Sequence, residues 1–256
     1  MHHYTLLSST VSLFFLIFAR VGTALSVSSG FGELFISPRI RLALAASLSF
    51  CLYFPLETSL SAATHSALIS TFFGEMLIGF FAGLLARTAV LTLKTAGSVM
   101  SMFSGLHLGS FFSPLSSTEE SAYSTFLTMT ALTILFLGDM HHWILKGIVD
   151  SYTIYTPGQM DFPIFGFANF ANWINRCFGM SLRLAAPFLV TQLLFFLGVG
   201  LVNRLVMQMQ VYFLTQPIQI LAGVLTLYLS LPFLLQAFFA FFEESIFTKF
   251  IVYPTG

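Results

Sequence analysis

The sequence predicts an all-α fold of the membrane class, with long, kinked helical hairpins. Composition is the first reason. Of 256 residues, 57% are hydrophobic and 8% charged, whereas soluble domains carry about 25% charged residues. Length is the second. The longest apolar stretch runs near 38 residues, about 57 Å of helix, against a hydrocarbon core of about 30 Å. Punctuation is the third. Pro187, Pro217 and Pro232 fall inside the last two apolar stretches, and proline within a helix kinks it. Ten basic and ten acidic residues leave no net charge and form no patch, so nucleic-acid binding has no electrostatic footprint. Cys51 and Cys177 lie in apolar runs and read as small buried hydrophobes. Two such residues argue for neither a disulfide nor a metal site.

Segment one spans 5–29 and is long enough to cross a bilayer. No Lys or Arg precedes it, and Arg20 lies inside it. It therefore reads as a retained helix, not a cleaved signal. Arg20 either snorkels to an interface or meets a buried partner. Arg39 and Arg41 then stand at the start of segment two, about 40–56, as an interfacial basic flank. Segment three, 66–103, is overlong, and Gly79, Gly83 and Gly97 are places where it can bend.

Segment four, 119–152, opens on two capping boxes, Ser116 with Glu119 and Ser117 with Glu120. It contains GDMHHW at 138–143. Asp139 and His142 are i,i+3 and share a face, but His141 is expected to point elsewhere, so a polar turn is the reading and no metal is expected. Residues 153–166, TIYTPGQMDFPIFG, form the clearest linker. Segment five, 167–203, and segment six, 213–252, make a hairpin with a polar corner at Asn203 and Arg204. Hydropathy thus counts six spans.

The stretch Glu75–Glu120 organises the rest. At about 100° per residue, Glu75, Gly79, Gly83, Ala86, Arg87, Val90, Lys94 and Gly97 fall within roughly 120° of arc. Small residues admit a close backbone, and charges in apolar helices face protein or water. This stripe is therefore expected to pack helices or subunits. Glu75 and Arg87 are about 18 Å apart along the axis, so each needs a partner elsewhere, which favours an assembly. The loop that follows carries Leu106, Leu108, Phe111, Phe112 and Leu115 among Gly105, Gly109 and Pro114. Irregular apolar backbone at membrane depth requires protein or a water-filled cavity around it. It reads as a plug or re-entrant loop, or as a connector whose aromatics sit among headgroups.

No phosphate loop, metal motif or nucleophile elbow is present, so neither enzymatic chemistry nor a cofactor is expected. A multi-pass secondary transporter or channel subunit for a small solute is the alternative, since broken apolar helices suit it. Scattered ionisable groups and the lack of an inverted pair of interrupted helices argue against it.

The runs GEMLIGFFAG, KTAGSVMSMFSGLHLGSFFSP and VNRLVMQMQVYFLTQPIQILAG, with SPRIRLALA before them and FLGDMHHWILKGIVDSY between the last two, resemble the FliR family. These are R subunits of the flagellar and type III secretion export gate. The order and spacing of the runs carry the likeness over nearly the whole chain. The resemblance implies a non-enzymatic subunit of a helical, pore-forming complex in the bacterial inner membrane, at the flagellar basal body. Implied partners are FliP-like, FliQ-like and FlhB-like subunits, with unfolded export substrates in the pore. It also implies a FliP-like front, 1–152, the linker 153–166, and a FliQ-like hairpin, 167–256, with 105–117 as the plug. The wording QMQVYFLTQP leans towards a flagellar member.

Overall fold

The computed structural model describes residues 2–32, 36–57, 68–105, 121–155, 164–205 and 211–248. All regular elements among them are helices: α1 (His2–Val27), α2 (Pro38–Glu57), α3 (Leu68–Phe103), α4 (Ala122–Leu137), α5 (His141–Ile154), α6 (Ile164–Leu205) and α7 (Val211–Thr248). Six segments were expected and seven helices are seen. The polar turn expected at GDMHHW is present: segment four, 119–152, breaks at Gly138–Met140, and α4 and α5 diverge there by 74°. Asp139 causes the break by adopting φ 55, a left-handed conformation that a helix cannot carry through.

Hydropathy led to an expectation of six spans. Among the described residues, three helices are long and apolar enough to cross a membrane: Ile69–Phe103, Phe170–Leu205 and Thr215–Glu243. A fourth is added if the bent α4–α5 pair counts as one span. In α1 the apolar helix over the described side chains is Val11–Val27, just under that length, and α2 carries Arg39, Arg41, Ser47 and Ser49 in its apolar run. α6 and α7 continue through Pro187 and through Pro217 and Pro232. The Thr191 hydroxyl donates to the Pro187 carbonyl at 2.8 Å. Of the two α4 capping boxes, all four residues lie outside the described set; α4 itself starts at Ala122, with Thr125 N–H donating to the Ser121 carbonyl.

The chain forms two compact units. The first comprises 1–88, 135–173 and 244–256, and the second 89–134 and 174–243. Both units draw on both sides of the 153–166 linker. In the first, Ile17, Val21, Ala24 and Leu25 of α1 pack with Ala45 of α2 and with Ile148 and Tyr152 of α5. Burial of Ile17, Val21, Leu25 and Ile148 contributes about 1.5–3 kcal/mol each. In the second, Leu93, Met100, Leu127, Phe188 and Phe238 are nearly or wholly buried. Only 17% of the α6 span window and 22% of the α7 window are buried, which leaves Leu193, Leu197, Leu201, Leu221, Leu225 and Phe233 exposed. Cys177 is buried as expected, but Cys51 is exposed, because α2 packs against α1 by another face.

Candidate functional site

Two polar centres stand out, one in each unit. In the first unit, Arg20 is 0% exposed and Glu75 3%. Their side chains pair through Arg20 Nε and Glu75 Oε2 at 2.5 Å. Arg20 also donates to the Ser151 carbonyl at 3.2 Å and to the Tyr155 carbonyl at 3.0 Å. Ser151 is in the last turn of α5 and Tyr155 is its C-cap, at the helix end where a cation is favoured. The Tyr152 ring lies 4.1 Å from Arg20 Cζ, within cation–π range, and its hydroxyl donates to the Ile17 carbonyl at 3.3 Å. A single guanidinium fork thus ties α1, α3 and α5.

The glycines of α3 make this possible. A Cβ on Gly79 would clash with the Arg20 carbonyl and the Thr23 hydroxyl, and one on Gly83 with the Ala24 carbonyl. α1 therefore lies directly on α3, which brings Arg20 to Glu75. α3 is continuous through Gly79, Gly83 and Gly97, so these glycines admit neighbours and do not break the helix.

In the second unit, a Cβ on Gly97 would lie 2.6 Å from Ser124 Cα of α4. The Ser124 hydroxyl donates to the Lys94 carbonyl at 3.0 Å. α3 ends at Phe103, whose carbonyl accepts from Gln219 Nε2 of α7 at 2.7 Å. Gly105 follows at φ 76, the left-handed glycine that closes many helices. A side chain there would be strained and would meet Gln216 Nε2 at 2.7 Å. Of two glutamines one turn apart on α7, Gln219 thus bonds the end of α3 and Gln216 lies beside Gly105. Beside them, Gln192 is 0% exposed, and neither its amide oxygen nor its nitrogen has a hydrogen-bond partner among the described residues.

A family model described as bacterial export proteins, family 1, matches residues 11–245. The chain belongs to the FliR family. A flagellar biosynthetic protein FliR of Caulobacter vibrioides is 33% identical over 219 residues, covering 84% of this chain and 87% of that protein. One of Aquifex aeolicus is 30% identical, covering 84% and 86%. The secretion system apparatus protein SsaT of Salmonella typhimurium is 26% identical over 64% of this chain and 63% of its own length.

In this family member the expected α3 stripe divides. Glu75, Gly79, Gly83, Ala86, Val90 and Gly97 are buried, Lys94 is half-buried and Arg87 is exposed. The buried positions span about 80° of arc, and the two cations lie just beyond it, Arg87 exposed on the chain by itself. The partner that Glu75 was expected to need elsewhere is Arg20 of α1, which decides the two readings of Arg20 in favour of a buried partner. Asn203 and Arg204 are exposed in the last turn of α6, where a cation suits the helix dipole. Of the loop, Gly105 is described. Leu106, Leu108, Gly109, Phe111, Phe112, Pro114 and Leu115 lie outside the described residues. Tyr152, Gln192, Gln216 and Gln219 were not singled out in the sequence. A glutamine inside an apolar helix is the signal that would have found Gln192 and Gln219.

Proposed function

We propose that this chain is the R-type subunit of the flagellar type III protein export gate, where it helps form and close the export pore. Its membership of a type III export apparatus follows the FliR and SsaT relatives. The finer reading assigns it FliP-like, FliQ-like and FlhB-like neighbours in the inner membrane of the basal body, and unfolded flagellar proteins as cargo. It has no enzymatic role. The loop 105–117 is the plug, with Phe111, Phe112 and Leu115 as its apolar body. The observation that carries the plug is the root at Gly105, where Gln219 closes the end of α3 and Gln216 flanks a left-handed glycine. A closing element needs a fixed root and a body that leaves when cargo arrives. An apolar constriction also excludes water and ions by dewetting. The bare apolar flanks of α6 and α7 are what neighbouring subunits or lipid would cover.

Deleting Leu108–Pro114 tests this. The gate should still co-purify with its P and Q partners, while cells carrying it become leaky to small dyes and ions. An assembled gate that stays tight after the deletion leaves 105–117 as a connector. A chain that is monodisperse alone and takes up solute in liposomes overturns the export reading itself.

A further inference from the structure

The corner between α4 and α5 plays no part in the export reading. Consecutive residues on a regular helix point about 100° apart, so His141 was expected to turn away from Asp139 and His142. It does not. The His141 and His142 rings lie 4.1 Å apart between centroids, and one ligand atom from each of Asp139, His141 and His142 lies within 4.8 Å of the other two. The left-handed backbone of Asp139 is what sets its carboxylate beside the first turn of α5.

The donors are suited to a cation. His142 Nδ1 lies 3.2 Å from the Asp139 carbonyl and 3.9 Å from Asp139 Oδ1. An Nδ1–H donated to that carbonyl leaves the Nε2 lone pair free, the arrangement by which backbone carbonyls orient metal-binding histidines. His141 Nδ1 is buried with no hydrogen-bond partner among the described residues, and its ring is held at 5.4 Å from Phe136. A buried polar atom left unpaired requires an explanation. The Asp139 and His142 side chains are 80% and 65% exposed, which gives an ion an entry path.

We propose that Asp139, His141 and His142 bind one divalent transition-metal ion of the zinc class, with its remaining positions taken by water. Two imidazoles and one carboxylate favour Zn²⁺, Ni²⁺ or Cu²⁺ over Mg²⁺ and Ca²⁺, which prefer all-oxygen sites. Ligands about 2.0–2.1 Å from zinc in a tetrahedron stand roughly 3.3 Å from one another. The present spread of up to 4.8 Å closes by rotating the exposed His142 and Asp139 side chains. The ion would lock the turn to the first turn of α5 and so fix the corner.

The test uses the full-length chain in detergent with His2, His3, His65 and His107 changed to Gln, leaving His141 and His142 as its histidines. ZnCl₂ is titrated by calorimetry, and Co²⁺ serves as the spectroscopic probe. One ion per chain should bind saturably, with ligand-field bands from imidazole ligation. Asp139→Asn and His142→Gln should each weaken binding on the order of tenfold or more. His142→Gln keeps the test decisive if His141→Ala fails to fold, because the His142 side chain is mostly exposed. Absence of saturable binding in this background overturns the proposal. So does binding that both exposed-residue variants leave unchanged.

Discussion

The two units place polar groups in apolar surroundings in opposite ways. The first concentrates its polarity in full charges and satisfies them. Arg20 pairs with Glu75 and donates to two carbonyls at the C-terminal end of α5. The second uses neutral amides and hydroxyls. Gln219 is bonded to the Phe103 carbonyl, whereas Gln192 is not bonded by any described residue. One helix, α3, supplies residues to both centres. A buried charge must be paired, because leaving it alone costs several kcal/mol, whereas a neutral amide left short costs about 1–3 kcal/mol. The first unit is therefore a lock. The second, at the root of the loop, holds less strongly and suits an element that has to move.

The strongest way to break this contrast is Arg20→Ala. It leaves Glu75 buried without a partner and should cost about 3–5 kcal/mol, read as loss of cooperative unfolding of the full-length chain in detergent–SDS titration. Arg20→Lys should fall between it and the natural protein, because an ammonium cannot reproduce the fork. An Arg20→Ala protein as stable as its parent would mean that the pair is not the lock.

Gly79→Leu and Gly83→Leu should each cost about 1–3 kcal/mol or more by forcing α1 away from α3, with lower yield of the assembled gate. Gly74→Leu is the matched control, since nothing lies within 4 Å of a Cβ there. Equal yields from all three variants would remove close helix approach as the reason for the stripe.

At the loop root, Gly105→Ala should cost about 1–2 kcal/mol, the usual penalty of the left-handed region. Gly105→Asn should recover part of it, because Asn tolerates that region. Protease protection of the assembled gate at 105–120 reads the local effect.

The smallest effect sharpens the contrast within the second unit. Gln219→Leu should destabilise by about 1 kcal/mol, because the Phe103 carbonyl loses its donor. Gln192→Leu should be neutral or stabilising by up to about 1 kcal/mol, because it removes amide atoms with no partner among the described residues. Matching losses from both substitutions would show that Gln192 is satisfied after all.

Helical class, the approximate extent of most helices, the small-residue stripe of α3 and the family likeness were legible in the chain alone. Each rests on local periodicity, apolar length or the wording of short runs, which neighbouring residues carry without reference to the fold. The limits of local reading show at particular residues. The GDMHHW turn was legible, but the left-handed backbone of Asp139 that brings His141 back beside it was not. Arg87 lies inside the predicted arc yet outside the narrower arc that packs. Arg20 meets Glu75 across 55 residues, and Gln219 meets the Phe103 carbonyl across 116. Composition says that a buried charge needs a partner; only the crossing of α1 over Gly79 and Gly83 selects which one. Such pairings are decided in tertiary structure because their strength depends on distance and on exclusion of water, and a linear order of residues specifies neither.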